Sequence, residues 1–333
     1  MSIETEYDHY IAVDWSHSSM AISRSTAKRE GIQTFEAGAD LSDLRAYLRS
    51  LKGTKILVIE ESTSSQWIYV ELKDEVDRFF ICDPRRNHLL KEGVKTDKID
   101  SVKLVKLLKA GLLKEVYHST EDYIYLRRLV SSYDDLVRMI VRAKNQKSAI
   151  LKLVGKAKDE SLPEGTPLFT RFIHEDKMQI ISMLENRKKL YEREFDQCSK
   201  KYPDLKLLRD IPGIGVIGSV KIVSRVVDPR RFKNKGHFLS YCGLVKLERS
   251  SGGQVYGRVN FKYSRMLKGV FKTAALSGLL SEKSELGQLY HYYRRQKSLA
   301  DFDARHAVAR HVATVAYGVL KSKEKYRPRM TRT

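Results

Sequence analysis

Four acidic residues are spaced as the ligands of a phosphoryl-transfer site would be. Asp97 and Asp100 lie three residues apart in KTDKIDSVKLVKLL (95–108), a segment otherwise rich in lysine. Residues three apart are neighbours on a helix, so a helix starting near Asp97 presents both carboxylates on one face. Asp14 comes near the end of the apolar run HYIAVDW, and Glu60 closes KILVIE (55–60). Four uncompensated carboxylates gathered at one place repel one another and call for a divalent cation. Hard oxygen ligands suit Mg²⁺ or Mn²⁺. Two such ions can activate the attacking oxygen and stabilise the leaving oxygen in phosphodiester cleavage. Lys95, Lys98 and Lys103 would then meet the nucleic-acid backbone. Each acid has a plainer reading. An Asp at a strand end is commonly a turn residue. A DxxD pair at a helix start is commonly a cap and a partner for the helix dipole. Glu61 competes with Glu60 for the strand-end role. The ordered set, in a strongly basic chain, carries the weight.

The elements around these acids follow from hydrophobic period. HYIAVDW, SMAISRS and IQTFEA read as three strands. LSDLRAYLRSLK (41–52) reads as an amphipathic helix with Asp40 or Ser42 as cap. KILVIE is a strand, 66–77 a helix, DRFFICD a strand and PRRNHLLKEG a short helix or loop. The DxxD segment follows, with Val102, Val105, Leu108 and Leu112 at helical spacing. The order βββαβαβα predicts a mixed sheet covered by helices. It is the element order of the ribonuclease H-like (RuvC-like) fold, in which the first and fourth strands are neighbours.

The chain has 333 residues, a formal net charge of +21 and three widely spaced cysteines. That charge favours a polyanionic partner, chiefly nucleic acid, through counterion release. The cysteines fit neither a zinc nor a disulfide pattern, so reduced thiols in a cytoplasmic protein are expected, with Cys82 in the core. No HExxH spacing, secretory leader or bilayer-length apolar run is seen, and no membrane partner is expected.

Beyond residue 122 the pattern changes. Leu126, Val130, Tyr133, Val137 and Ile140 recur at roughly 3.5-residue spacing, and Ile181, Leu184, Tyr191 and Phe195 continue it. Two long helices, read as a coiled-coil hairpin broken at SLPEGTP (161–167), are expected to serve as spacer or dimer contact. In LRDIPGIGVIGSVKIVSRV (208–226), Gly213 and Gly215 permit a tight turn whose N–H groups can approach a phosphate at a helix N-terminus, as in a helix-hairpin-helix. A plain joint between helices is the alternative. The remainder reads as helical with a glycine-rich loop near 250, where SSGG by composition is a linker turn. The expected division is 1–122, 123–204, 205–325 and a basic tail, 326–333.

These motifs together resemble one family: the DEDD transposases of the insertion-sequence 110 family, with the pilin-gene-inverting recombinases. YIAVDWSHSSMAIS is similar to its opening strand and acid. VIEESTSS stands where the family has IEATG, and GVKTDKID where it has KTDxxDA, with Ser101 in place of the alanine. The resemblance implies that Asp14, Glu60, Asp97 and Asp100 are its catalytic metal ligands. IPGIG resembles the start of its C-terminal domain. FLSYCGLVKLERSSGGQVYGR (238–258) resembles its serine segment, which makes Ser251 the implied nucleophile and Ser250 the adjacent alternative. VNFKYSRMLKGVFK follows the family's basic pattern loosely; with Arg258 before it, Lys262, Arg265 and Lys268 are candidates for a backbone-binding surface or a solvated helix face. The resemblance further implies donor and target DNA, a non-coding bridge RNA, a homo-oligomer (dimer or tetramer), and action in the cytoplasm of a prokaryotic cell at the nucleoid. Two other readings share the sequence: a metal-dependent junction-resolving nuclease that uses water instead of Ser251, and a non-catalytic nucleic-acid-binding protein derived from a transposase.

Overall fold

The computed structural model describes residues 6–28, 31–83, 96–117, 121–158, 160–245, 247–259, 263–279 and 284–328. The segment PRRNHLLKEG, Lys95 and Lys262 lie outside them, and for Arg258 only the backbone is described. The chain divides into two compact units, Met1–Ile124 and Tyr125–Thr333.

The first unit holds β1 (His9–Trp15), β2 (Ser19–Thr26), β3 (Gln33–Gly38), α1 (Leu41–Ser50), β4 (Lys55–Glu60), α2 (Ser65–Leu72), β5 (Arg78–Cys82) and α3 (Asp97–Lys109). The sheet order is β3-β2-β1-β4-β5. β1 pairs antiparallel with β2 and parallel with β4, and β5 extends the sheet in parallel. This is the ribonuclease H-like arrangement expected from the element order. Side chains alternate across a strand, and the two faces have different covers. Ile11, Val13, Leu57 and Ile59 pack with Leu44 and Leu48 of α1 and Ile68 and Leu72 of α2. Tyr10, Ala12, Ile56, Val58 and Phe80 pack with Leu104, Val105 and Leu108 of α3. Two details of the sequence reading are corrected. α2 ends at Leu72 and passes into a 3-10 turn, Lys73–Glu75, short of the expected 77. The buried stripe of α3 is Ser101, Leu104, Val105 and Leu108; Val102 is only half-buried and Leu112, beyond the helix, is exposed.

In the second unit α4 (Glu121–Leu153) and α5 (Leu168–Gln197) are the two long helices. Leu136 and Ile140 bury against Leu184, with Ile180 and Tyr191 alongside. Tyr133 donates to Glu192 at 3.0 Å and packs on Phe195, and Lys144 pairs with Glu185, so the helices run antiparallel. Leu136, rather than the expected Val137, fills the seam. The rest of the unit comprises α6 (Asp204–Arg209), α7 (Val216–Val226), α8 (Lys235–Tyr241), β6 (Leu247–Ser251), β7 (Gln254–Val259), α9 (Arg265–Gly278), α10 (Glu285–Arg295) and α11 (Asp301–Ser322). α11 is the centre. Its Ala304, Ala307, Val308, Val312, Ala313 and Ala316 are essentially sealed from water. These small side chains let α9 and α8 approach it closely, and Phe238 of α8 stacks on Tyr317 at 5.0 Å. The glycine-rich loop expected near 250 is instead the turn of a two-stranded hairpin: Ser251 pairs with Gln254, and Gly252 and Gly253 turn the chain with φ of +56° and +80°. Two central residues with positive φ make the tight turn whose twist matches the flanking strands.

Candidate active site

Register assembles the acids of the first unit. Val13 lies opposite Ile59 on the parallel neighbours β1 and β4, so Asp14 and Glu60 emerge side by side at the C-terminal edge of the sheet. Asp14 is two residues beyond Ala12 and Glu60 two beyond Val58, which places both on the face covered by α3. α3 begins at that edge with Asp97 and Asp100 in its first turn. The N-cap is Thr96, whose hydroxyl accepts from the Ile99 N–H at 3.3 Å. The capping role that could have explained DxxD therefore belongs to another residue.

Three of the acids feel one another's charge. The Asp14 carboxyl is pushed up from 3.8 to about 6, first by burial and then by repulsion from Asp97 and Asp100. Asp100 Oδ1 is buried and has no hydrogen-bond partner. The Lys103 ammonium lies 3.8 Å from it, an ion-pair distance too long for a hydrogen bond. Lys98 is turned to Glu36 of β3 at 3.0 Å. Among the described residues no three acids, histidines or cysteines stand close enough to share one ion as they are. The donor set nonetheless fits a hard divalent cation: carboxylate oxygens only, mutually repelling, one of them buried without a hydrogen-bond partner.

Hydroxyls to which the sequence reading gave no structural role hold α3 in place. The Ser101 hydroxyl donates to the Lys98 carbonyl at 2.9 Å and lies 2.8 Å from the Ser23 hydroxyl, which lies 2.8 Å from that of Thr34. Each hydroxyl has one proton, and that of Ser101 is committed to the carbonyl. Ser23 therefore donates to Ser101, and Thr34 to Ser23. This directed chain crosses from β3 over β2 to α3, and it ends on the residue after Asp100. Ser101 and Ser23 are fully buried, where unmet hydroxyls are costly. A serine at a position facing an apolar sheet was the available signal.

The second unit carries the other candidates. Ser251 is exposed on the last residue of β6, and Ser250, opposite Val255, is exposed beside a register shift in the hairpin. Tyr256 and Val255 of β7 are exposed too. Two short polar strands around Gly-Gly were the missed hairpin signal. Gly213 has φ +83°, and a Cβ there would lie 2.1 Å from the Ala274 carbonyl oxygen of α9. That glycine is required by packing as well as by the turn. Gly215 precedes the first turn of α7, with no side-chain cap, and has open space around it. Gly213, Gly215, Val216, Lys221 and Arg265 line one cleft of about 780 Å³. Lys221 is paired with Asp134 at 2.5 Å, whereas Arg265 is exposed. Lys268 lies over the Tyr263 ring.

Comparison with known proteins finds matches in both parts of the chain. A DEDD transposase family model matches residues 11–155, and the model described as "Transposase IS116/IS110/IS902 family" matches 205–291. The protein named "Putative transposase y4pF/y4sB" of Sinorhizobium fredii is 27% identical over 262 residues, covering 70% of this chain and 64% of the relative. "Putative transposase y4qE" of the same organism is 27% identical over 167 residues, covering 48% and 42%. The alignments thus span less than two thirds of either relative. With a DEDD match over the acid-bearing sheet and a second match over the glycine turn and serine hairpin, the chain belongs to the IS110 family of transposases.

Proposed function

We propose that this protein is a transposase or site-specific recombinase of a mobile element, cleaving and rejoining DNA. The observation that carries the reading is the repulsion of Asp14 by Asp97 and Asp100 at a sheet edge, with Asp100 Oδ1 buried and without a hydrogen-bond partner. With Glu60 beside Asp14, these residues hold Mg²⁺ or Mn²⁺. The ion, when bound, neutralises the carboxylates and stabilises charge on the phosphate oxygens in transfer.

Ser251 is the nucleophile. Its Oγ attacks the scissile phosphorus, the Oγ proton passes to a base, and the bond from phosphorus to a sugar oxygen breaks. The sugar oxygen takes up a proton in exchange, from that base or from water, and leaves as an alcohol, and the strand stays on the protein as a phosphoserine diester. One phosphodiester has replaced another, so the bond energy is retained and rejoining needs no external energy source. A serine hydroxyl is a poor nucleophile unless activated. Acids and serine belong to different units, and cleavage requires both to act on one phosphate, supplied within one chain or by two subunits. Residues 1–122 then form the catalytic domain and 123–204 a helical dimerisation region. Residues 205–325 form the helix-hairpin-helix and serine domain, and 326–333 the tail. Gly213, Gly215 and the open first turn of α7 take a backbone phosphate, assisted by Arg265. The charge of +21 suits simultaneous binding of donor DNA, target DNA and a bridge RNA. The exposed apolar residues at the α4–α5 tip, Leu168, Phe169 and Phe172 among them, suit a homo-oligomer. DNA as substrate puts this work in the cytoplasm, at the nucleoid.

The test is a covalent adduct. The gene is expressed with its flanking DNA, and the purified protein is incubated with those flanks and Mg²⁺. We expect a DNA-linked protein band that withstands denaturant. Ser251→Ala and Asp14→Asn should abolish it, and Ser250→Ala should keep it. Cut DNA with no adduct from the parent protein would refute the serine step and favour the junction nuclease.

A further inference from the structure

We propose that a patch on α9 and α11, at the root of the Ser251 hairpin, binds a single-stranded segment of nucleic acid. One unpaired base stacks on Phe302, and Lys268, Lys272 and Arg310 hold the flanking phosphates.

Phe302 is 68% exposed in the first turn of α11. The Lys272 ammonium lies over its ring at 5.0 Å from the centroid. One turn further along, the His306 ring is parallel to Phe302 within 2°, with centroids 6.4 Å apart. His306 is tied to the hairpin root: its Nε2–H donates to the Leu244 carbonyl at 3.0 Å, three residues before β6 begins. On α9, Lys268 lies 4.7 Å from the centre of the Tyr263 ring. Tyr263 closes on Gly243, where a Cβ would come within 2.3 Å of the ring. Cations and aromatic rings therefore alternate along one surface beside the strand that carries Ser251.

The three cations share one electrostatic neighbourhood. Burial lowers the proton affinity of His306, the bond to the Leu244 carbonyl raises it, and the charges of Arg310, Lys272 and Lys268 lower it again. Among the described residues, no carboxylate pairs with any of the three. Of the two acids in the first turn of α11, Asp301 is occupied by Arg305 and by the Tyr290 hydroxyl, and Asp303 is exposed. Three cations that no described carboxylate pairs, around an exposed aromatic face, fit a phosphate backbone with a base between phosphates. In an acidic peptide the charged residues carry no ring, whereas every nucleotide carries both a flat base and a phosphate. A duplex buries its base faces within the stack, so only an unpaired nucleotide uses the whole patch.

The proposal rests on the recombinase reading for the presence of nucleic acid, and its test is independent of cleavage. Full-length Ser251→Ala protein is titrated with labelled oligo-deoxythymidine, with oligo-uridine of equal length, and with a duplex, over a range of salt concentrations. Phe302→Ala should weaken single-strand binding about five- to tenfold and leave duplex binding and the salt dependence alone. Phe302→Trp should retain single-strand binding. Lys272→Gln should reduce the salt slope by about one. A loss in the DNA arm assigns the strand to DNA, and a loss in the RNA arm to RNA. Phe302→Ala binding single strands as its parent does, or losing duplex affinity equally, would overturn the proposal. Phe302 is exposed, so an unchanged unfolding midpoint verifies the fold. Failure of the recombinase reading would instead appear as a missing adduct with this binding intact.

Discussion

Asp14→Asn should stabilise the metal-free first unit while abolishing cleavage. The carboxyl is lifted from 3.8 to about 6 by burial and by the charges of Asp97 and Asp100. The folded chain thus holds this proton more tightly than the unfolded chain. The stability linked to Asp14 is fully present below pH 3.8, falls as pH rises, and is gone above about pH 6. At 1.36 kcal/mol per pH unit the ceiling is about 3 kcal/mol. Asp14 is only partly buried, and solvent screening reduces this to about 1–2 kcal/mol. Asparagine has nearly the same shape and no charge. In EDTA at pH 7.5 the variant should therefore be more stable than its parent by about 1–2 kcal/mol, and at pH 4 the two should nearly coincide. Mg²⁺ should stabilise the parent and do little for the variant. Urea unfolding followed by tryptophan fluorescence isolates the relevant unit. The two tryptophans of the chain are Trp15 and Trp67, edge to face at 6.1 Å within it, and Trp15 adjoins Asp14. A variant no more stable than its parent at pH 7.5, or a gap that persists at pH 4, would refute the argument that these carboxylates repel.

Two further outcomes follow from packing. Ser101→Ala leaves the Ser23 hydroxyl, buried, without its acceptor and should cost the first unit about 1–3 kcal/mol. Ser23→Ala in the same chain should recover part of that, which a double-mutant cycle in urea would read. Gly213→Ala drives a Cβ to 2.1 Å from the Ala274 carbonyl oxygen at φ +83° and should lower the melting temperature of the second unit by several degrees. Gly215→Ala, with nothing within reach, should leave it within about 0.5 kcal/mol of the parent.

Much of the first unit was legible along the chain because its determinants are local. The continuous apolar runs in HYIAVDW and KILVIE put Asp14 near and Glu60 at a strand end, and the period of a helix puts Asp97 and Asp100 on one face. Parallel pairing of β1 with β4 then makes the two strand acids neighbours, and the element order already implied that pairing. Other features needed contacts distant in sequence. Thr96 rather than an acid caps α3, which frees both carboxylates. Ser101 reaches Ser23 across 78 residues, so its burial is invisible in its own segment. The SSGG segment looked like a linker because short polar strands have no apolar face to reveal them, and only their pairing turns the loop into a hairpin. Gly213 looked like a residue kept for a phosphate, whereas the helix it must approach begins about fifty residues later. Period and spacing act through neighbours in the chain and can be read from it. Hydroxyl chains, the close approach of backbones and shared electrostatic fields depend on distances in space, which only the folded chain sets.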